Sequence, residues 1–460
     1  MYFNSLEFLF FMVVLFFIYW KLNEKYRWIL LLISSYLFYC GWGTIYLLLL
    51  VLLTFISYIA GILIQKNKDQ KCERFFLVIT ITGMLLILCG FKYSFFSKQP
   101  FALKMMMPIG ISFYTFKMIG YLVDIYRGEA PEYHLGKYAL FVAFFPEISS
   151  GPIDRGNKLL AELSKKHIFN YDKTTYGLKL IAWGYFKKVI IADFLAGYVD
   201  RIWTSLYSYQ GFVLILVSFF FTLQIYCDFS GYSDMAMGIA RLLDIDIMMN
   251  FRSPYFADSF KEFWKRWHIS LSTWLRDYIY IPLGGGENGK GRQTLNVMIT
   301  FLVSGIWHGV GVTYIVWGIL HGLMRSLEPY FCKKATGSRR MFRIAGVFLF
   351  CSIAWIFFRA ESLEQVIYIL RQSIYGIEHP IVYLKQGQVD LQFDLYMCIR
   401  VSFLMIILTI FDYMNQSRDV LEVIGRQVIW IRWTIYVLFA FVIFMFLPVK
   451  QAQEFIYFQF

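Results

Sequence analysis

Charge is scarce in this chain: Asp, Glu, Lys and Arg together make up only 16% of its 460 residues. A soluble protein of this length would carry about 25% charged residues to cover its surface. Cysteine chemistry is equally thin. The seven cysteines (Cys40, Cys72, Cys89, Cys227, Cys332, Cys351 and Cys398) are scattered and odd in number, with no CxxC pair. That excludes a disulfide framework and a zinc site. No basic segment precedes the first apolar run. Lys21, Lys25 and Arg27 follow it instead, and no small-residue cleavage site is evident, so "MYFNSLEFLFFMVVLFFIYW" reads as a retained helix and not a removed signal peptide. Short alternating segments, the mark of a membrane β-barrel, are missing as well.

What the chain has instead is hydrocarbon. It is 58% hydrophobic and 20% aromatic, with a mean hydropathy of +0.55. Apolar runs of spanning length recur along nearly all of it. The class is an all-α polytopic membrane protein of about eleven to twelve transmembrane helices, with re-entrant and interfacial pieces, in a single domain over 1–460. The net charge of +13 then belongs to basic cytoplasmic loops, with no implication of nucleic-acid binding. Basic residues at 21–27 and 66–74 (Lys66, Lys68, Lys71, Arg74) flank the uncharged turn "YCGWGT". This places the N-terminus outside and both basic loops in the cytoplasm, although Lys98 and Lys104 fall in an outer loop.

Apolar segments in the middle carry Lys117, Asp124, Lys187, Lys188, Asp193, Asp228 and Asp234. Ionisable groups at membrane depth face a bundle interior or a wet cavity, while Lys187 and Lys188 suit helix ends from which they snorkel. Tyr226, Asp228, Ser230, Tyr232 and Asp234 crowd one segment. An internal polar network is the preferred reading there, and the lining of a tunnel is the other.

The stretch 258–292 differs in kind. Phe260, Trp264, Trp267, Leu271, Trp274 and Tyr278 recur at helical spacing, with Glu262, Arg266, Thr273 and Asp277 opposite, and Lys261, Lys265, His268 and Ser272 along the border. The pattern predicts one helix over 258–281 lying in the cytoplasmic membrane interface. "PLGGGENGKGR" follows as a glycine-rich basic turn whose N–H groups suit a phosphate. Lys261, Lys265, Arg266 and Arg276, with Trp264 and Trp267, are the candidate substrate-binding residues of this stretch.

"VMITFLVSGIWHG" delivers His308 at the end of an apolar helix. Gly309 and Gly311 follow, where a substrate has room to approach. A histidine there suits a general base, because its pKa lies near neutrality, or it is a buried histidine satisfied by a neighbour. Trp307 and Asn296, the latter three helical turns earlier and placed to polarise a carbonyl, join the candidate binding residues. His268 is the second candidate, as a donor-side or structural group. His321 reads as structural, and His134, His167 and His379 are assigned no role.

The blocks "PIGISFYTFKMIGYLVDIYRG" (108–128), "FVAFFPEISSGPIDR" (141–155), "YCDFSGYSDMAMGIARLL" (226–243), "FWKRWHISLSTWLRDYIYIPLGG" (263–285), "SGIWHGVGVTYIVWGILHG" (304–322), "WIFFRA" (355–360) and the ending "EFIYFQF" (454–460) are together similar to the membrane-bound O-acyltransferase family. The resemblance is strongest to its bacterial branch with the membrane subunit of alginate O-acetylation. Asp244 stands where the family often has glycine, and Asp258 where a basic residue is common. The resemblance implies a ring of helices around a central tunnel in which two funnels meet near His308, in a multi-pass protein of the bacterial inner membrane. It further implies acetyl transfer from a cytoplasmic thioester to an extracytoplasmic polysaccharide. Acetyl-CoA is the expected donor substrate, with an acyl carrier protein as the other. No cofactor is expected to be bound. An extracytoplasmic SGNH-type acyltransferase is the expected partner. A transporter or flippase for an envelope polymer, and D-alanyl transfer to teichoic acid, are the competing readings; paired inverted repeats, common in transporters, are not seen.

Overall fold

The computed structural model describes residues 1–67, 69–96, 107–287, 289–331 and 336–446. Lys68, Lys98, Lys104, Cys332, Asn288 of the glycine-rich turn and the 454–460 ending lie outside the described residues. Among the described residues every regular element is helical. Lipid offers the backbone no hydrogen-bonding partner, so a spanning segment must satisfy its N–H and C=O groups within itself, as a helix does. Six helices are long and apolar enough to cross a bilayer: Thr44–Lys66, Gln70–Lys92, Phe212–Leu242, Ser338–Arg359, Leu395–Asn415 and Ile429–Phe446. The other expected spans fall on helices outside that set, among them Leu6–Lys21, Ile111–Tyr126, Gly289–His308 and Val312–Phe331. Side-chain caps start several helices: Ser5 accepts from the Phe8 N–H, Asp394 from Met397 and Asp419 from Glu422.

The chain packs as two compact units, each discontinuous in sequence. One holds residues 1–183 and 232–249, and the other holds 184–231 with the residues from Asn250 onward. In the first unit, helices Glu24–Cys40, Thr44–Lys66, Ile111–Tyr126 and Leu135–Ala143 enclose a fully buried aromatic core of Tyr39, Tyr114, Tyr138 and Phe141. Lys117 is buried there with its Nζ 2.6 Å from Glu147 Oε2 and 2.7 Å from the Phe141 carbonyl. Asp244 follows the end of helix Phe212–Leu242 with φ of +60°. Glycine would adopt that left-handed backbone without strain. The aspartate has its own compensation: its carboxylate takes the Lys173 ammonium at 2.7 Å and the Ile168 N–H at 3.3 Å. Burial alone would raise that carboxyl, but these two donors hold it below the ordinary carboxylate value.

The second unit corrects one expectation and supports another. Lys187 and Lys188 do not snorkel. Both are buried in a π-helical turn, Phe186–Ala192. Lys188 Nζ lies 2.6 Å from Asp228 and 2.8 Å from Asp193, and Lys187 donates to Ser230 Oγ at 2.9 Å. Tyr226 donates to Asp412 at 2.6 Å. Buried charges persist only when paired in this way, so Tyr226, Asp228 and Ser230 of the crowded segment are members of an internal network.

Candidate active site

All the residues singled out around the two candidate histidines lie in the second unit. Helices Gly289–His308 and Val312–Phe331 form an antiparallel pair with almost no side-chain layer between them. A Cβ on Gly318 would lie 2.5 Å from the Phe301 carbonyl oxygen, and one on Gly305 would collide with the Tyr314 carbonyl. Glycine at both positions lets the backbones touch.

His308 is the last residue of the first helix, 5% exposed. Its ring is walled by Trp307, Trp317 and Phe358, with centroids 4.8, 5.0 and 5.3 Å away. Its Nδ1 lies 2.7 Å from the Ser304 carbonyl oxygen. A carbonyl only accepts, so Nδ1 carries a proton and, in the neutral ring, Nε2 is the basic nitrogen. This is the tautomer and orientation a general base needs. Gly309 does not leave space for a substrate, as the sequence had suggested. A Cβ there would run into the Tyr314 ring, so the glycine accommodates Tyr314.

The helix expected over 258–281 is broken. Phe260–Arg266 and Ile269–Leu275 are separate α-helices, followed by a π turn, Arg276–Tyr280. The break is His268, with φ of +42°. Asn250 holds it: its carbonyl accepts the Ile269 N–H at 2.9 Å, and its Oδ1 accepts from Ser270 N–H at 3.2 Å and Ser270 Oγ at 2.6 Å. The bend sinks the imidazole to 1% exposure, edge-on to Phe229 at 4.6 Å and 6.1 Å from the Trp307 ring. Burial, with His308 nearby as a smaller cause, pushes His268 well below the ordinary imidazole value. The first short helix is anchored at its start by Glu328, which accepts from the N–H groups of Phe260 at 2.5 Å and Lys261 at 3.0 Å. Asp258, where a basic residue had been expected, pairs with Arg340 at 3.6 Å and offers its carbonyl to Arg343.

The structure brings together some of the candidate binding residues and separates others. Trp264, Trp267 and Trp307 are packed among aromatic rings: Trp267 lies against Trp355 at 4.8 Å and Trp264 against Phe301 at 5.2 Å. The aromatic face therefore meets protein. Lys261 and Lys265 are exposed; Arg266 is taken up by Glu262 at 3.0 Å, and Arg276 by Asp277 at 2.7 Å. Asn296 is not near His308. It is twelve residues and about 18 Å away along one helix, fully buried, and donates to the carbonyls of Leu283 and Gly285 at 3.1 and 2.9 Å, which closes the glycine-rich turn. Ser304, Glu328 and Asn250 went unnoticed in the sequence. Ser304 acts through its backbone, which leaves no side-chain signal, and the other two act on distant segments.

A family model described as MBOAT, membrane-bound O-acyltransferase family, matches residues 36–363, a span that includes both histidines. The chain is 39% identical over 386 residues to the probable alginate O-acetylase AlgI of Pseudomonas aeruginosa, covering 79% of this chain and 73% of that one. It is 32% identical over 388 residues to the peptidoglycan O-acetyltransferase of Helicobacter pylori, covering 75% and 73%. It is 28% identical over 235 residues to the teichoic acid D-alanyltransferase of Bacillus subtilis, covering 49% and 60%.

Proposed function

The chain belongs to the membrane-bound O-acyltransferase family and is a multi-pass membrane acyltransferase, and we propose that it moves acetyl groups from a cytoplasmic thioester to an extracytoplasmic polysaccharide with His308 as general base. The observation that carries the base assignment is the 2.7 Å contact of His308 Nδ1 with the Ser304 carbonyl, which makes Nε2 the basic nitrogen of the neutral ring, within an aromatic wall. In the transfer, the acceptor hydroxyl oxygen attacks the thioester carbonyl carbon while Nε2 takes the hydroxyl proton. The C–S bond then breaks and the proton passes to the leaving thiolate, giving an ester and a free thiol. Such general-base assistance is worth about 10²–10⁴-fold in rate.

Acetyl is favoured over D-alanyl because the acetyl-transferring relatives match over about three quarters of the chain at higher identity, and the D-alanyltransferase over about half. Acetyl-CoA is the proposed donor and the inner membrane the proposed site. An extracytoplasmic SGNH-type acyltransferase is the proposed partner that brings the glycan. Family membership favours the enzyme over the transporter. The test is glycan acetylation by His308→Ala at matched membrane abundance. Removing the base should abolish acetylation while acetyl-CoA still binds; transfer near the wild-type rate would overturn the assignment.

A further inference from the structure

One buried side chain has no part in the transfer chemistry above. His321, on helix Val312–Phe331, is fully buried in a box formed by the rings of Phe263, Trp264, Phe301, Trp317, Phe350 and Trp355. Neither of its ring nitrogens has a hydrogen-bond partner in the protein, and neither do the indole nitrogens of Trp264 and Trp317. Buried polar groups are almost always bonded, because leaving one bare forfeits its hydration for nothing. Four bare polar atoms on three touching rings are therefore a feature to explain, and packing alone does not explain it. Phenylalanine or leucine would fill such a box without that cost.

The chemistry of the four atoms specifies what they fit. Each indole is a donor only, and a neutral imidazole offers one donor and one acceptor. Their complement is a group that presents an acceptor oxygen and an N–H on a flat, slim frame, which describes a secondary amide. The register of the helix pair adds a distance. Gly305 faces Gly318, so His308 is level with about residue 315, and His321 lies about 9 Å further along, toward the Gly289 end. Trp317 spans the interval, 5.0 Å from the His308 ring and 4.9 Å from the His321 ring. An extended ligand whose reacting end sits at His308, and which runs toward the Gly289 end, passes His321 one amide's reach behind the reacting atom.

We propose that His321, with Trp264 Nε1 and Trp317 Nε1, forms a subsite that hydrogen-bonds an amide of the arm carrying the donor's thioester. The proposal rests on the reading that a thioester reacts at His308, and it makes His321 a binding residue with no share in the proton transfer. Acetyl-CoA and an acetylated carrier protein present the same amide-bearing arm, so the subsite serves whichever of them the enzyme uses.

The experiment measures thiol release by the full chain in lipid nanodiscs, with an oligosaccharide supplied as the hydroxyl acceptor, from four thioesters: acetyl-CoA, an acetylated carrier protein, acetyl-pantetheine (the arm without its nucleotide) and S-acetyl-2-mercaptoethanol, which has no amide. His321→Phe fills the box without its polar atoms. It should raise KM about tenfold for the amide-bearing donors that the wild type uses, the loss of one buried hydrogen bond, while kcat stays within about threefold. The amide-free thioester should react as in the wild type. His321→Gln, which keeps a donor and an acceptor, should recover part of the affinity. The apparent unfolding temperature of His321→Phe should equal or exceed that of the wild type. Unchanged KM for all donors, or an equal loss for all four thioesters, would overturn the subsite. So would a loss of activity accompanied by a lowered unfolding temperature, which would make His321 a structural residue. A wild-type chain that released thiol from none of the four would instead remove the thioester reading, and the subsite with it; His308→Ala, expected to bind donors without turning them over, separates the two failures.

Discussion

His308 and His268 carry the same ring on opposite kinds of backbone. The first ends a regular helix and is oriented by a carbonyl one turn back. The second sits at φ of +42°, a conformation that costs a side-chain-bearing residue about 1–2 kcal/mol. His268→Gly and His268→Ala both remove the imidazole, but only glycine relieves the backbone. The glycine variant should be the more stable by about 1 kcal/mol, read as a higher unfolding temperature in detergent, with acetyl transfer lowered in both to a similar degree. The buried imidazole also predicts a pH dependence. Its folded pKa lies below the unfolded value of about 6.5. The unfolded chain therefore gains the proton first as the pH falls, and His268 contributes stability that is present above about pH 6.5 and lost below it, toward the folded pKa. Unfolding temperatures between about pH 5 and 8 should fall more steeply on the acid side for the wild type than for His268→Gln; parallel curves would refute it. His308 was legible in the sequence because it closes an apolar run. The role of Asn296 was not, because its acceptors belong to a turn that folds back over eleven to thirteen residues.

At the scale of elements, the broken helix shows where periodicity misleads. The aromatic spacing from Phe260 to Tyr278 reads as one helix, and neither glycine nor proline marks a stop. The break comes from Asn250, which competes for the N–H groups of Ile269 and Ser270 from a segment about twenty residues away in sequence. In the helix pair that holds His308, glycines at 305 and 318 permit close backbone contact. Gly305→Ala should force the pair apart and cost about 1–3 kcal/mol, as overpacking does, and it should also shift His308. Reduced transfer with a lowered unfolding temperature is the expected result, and wild-type behaviour in both would mean the contact is not needed. Glu328→Ala tests the anchor of the first short helix. Two N–H groups, the buried one of Phe260 and the half-buried one of Lys261, lose their acceptor, for a destabilisation of about 1–3 kcal/mol. Glu328→Gln keeps one acceptor oxygen and should fall between.

For the whole molecule, the proposed transfer requires the chain to have a defined sidedness in the membrane, since it takes the donor from one face and serves an acceptor on the other. The helix Thr44–Lys66 has 23 residues, about 34 Å at 1.5 Å per residue, enough to cross a hydrocarbon core of about 30 Å. Cys40, half-buried at the end of the preceding helix, and Cys72, exposed near the start of the next, therefore lie on opposite faces. The loop beside Cys72 is basic, with Lys66, Lys71 and Arg74, and the turn beside Cys40 carries no charge. The positive-inside rule assigns Cys72 to the cytoplasm. In spheroplasts, a membrane-impermeant maleimide should label a variant retaining only Cys40 and spare one retaining only Cys72, while permeabilised cells should show label on both. The reverse pattern would invert the chain and send the acetyl group the wrong way. Label on both in sealed spheroplasts would mean Thr44–Lys66 does not cross, which its length and apolar composition oppose. The assigned pattern would put the N-terminus outside, because the helix before Cys40, Glu24–Cys40, begins beside the other basic stretch, Lys21, Lys25 and Arg27, on the same side as Cys72.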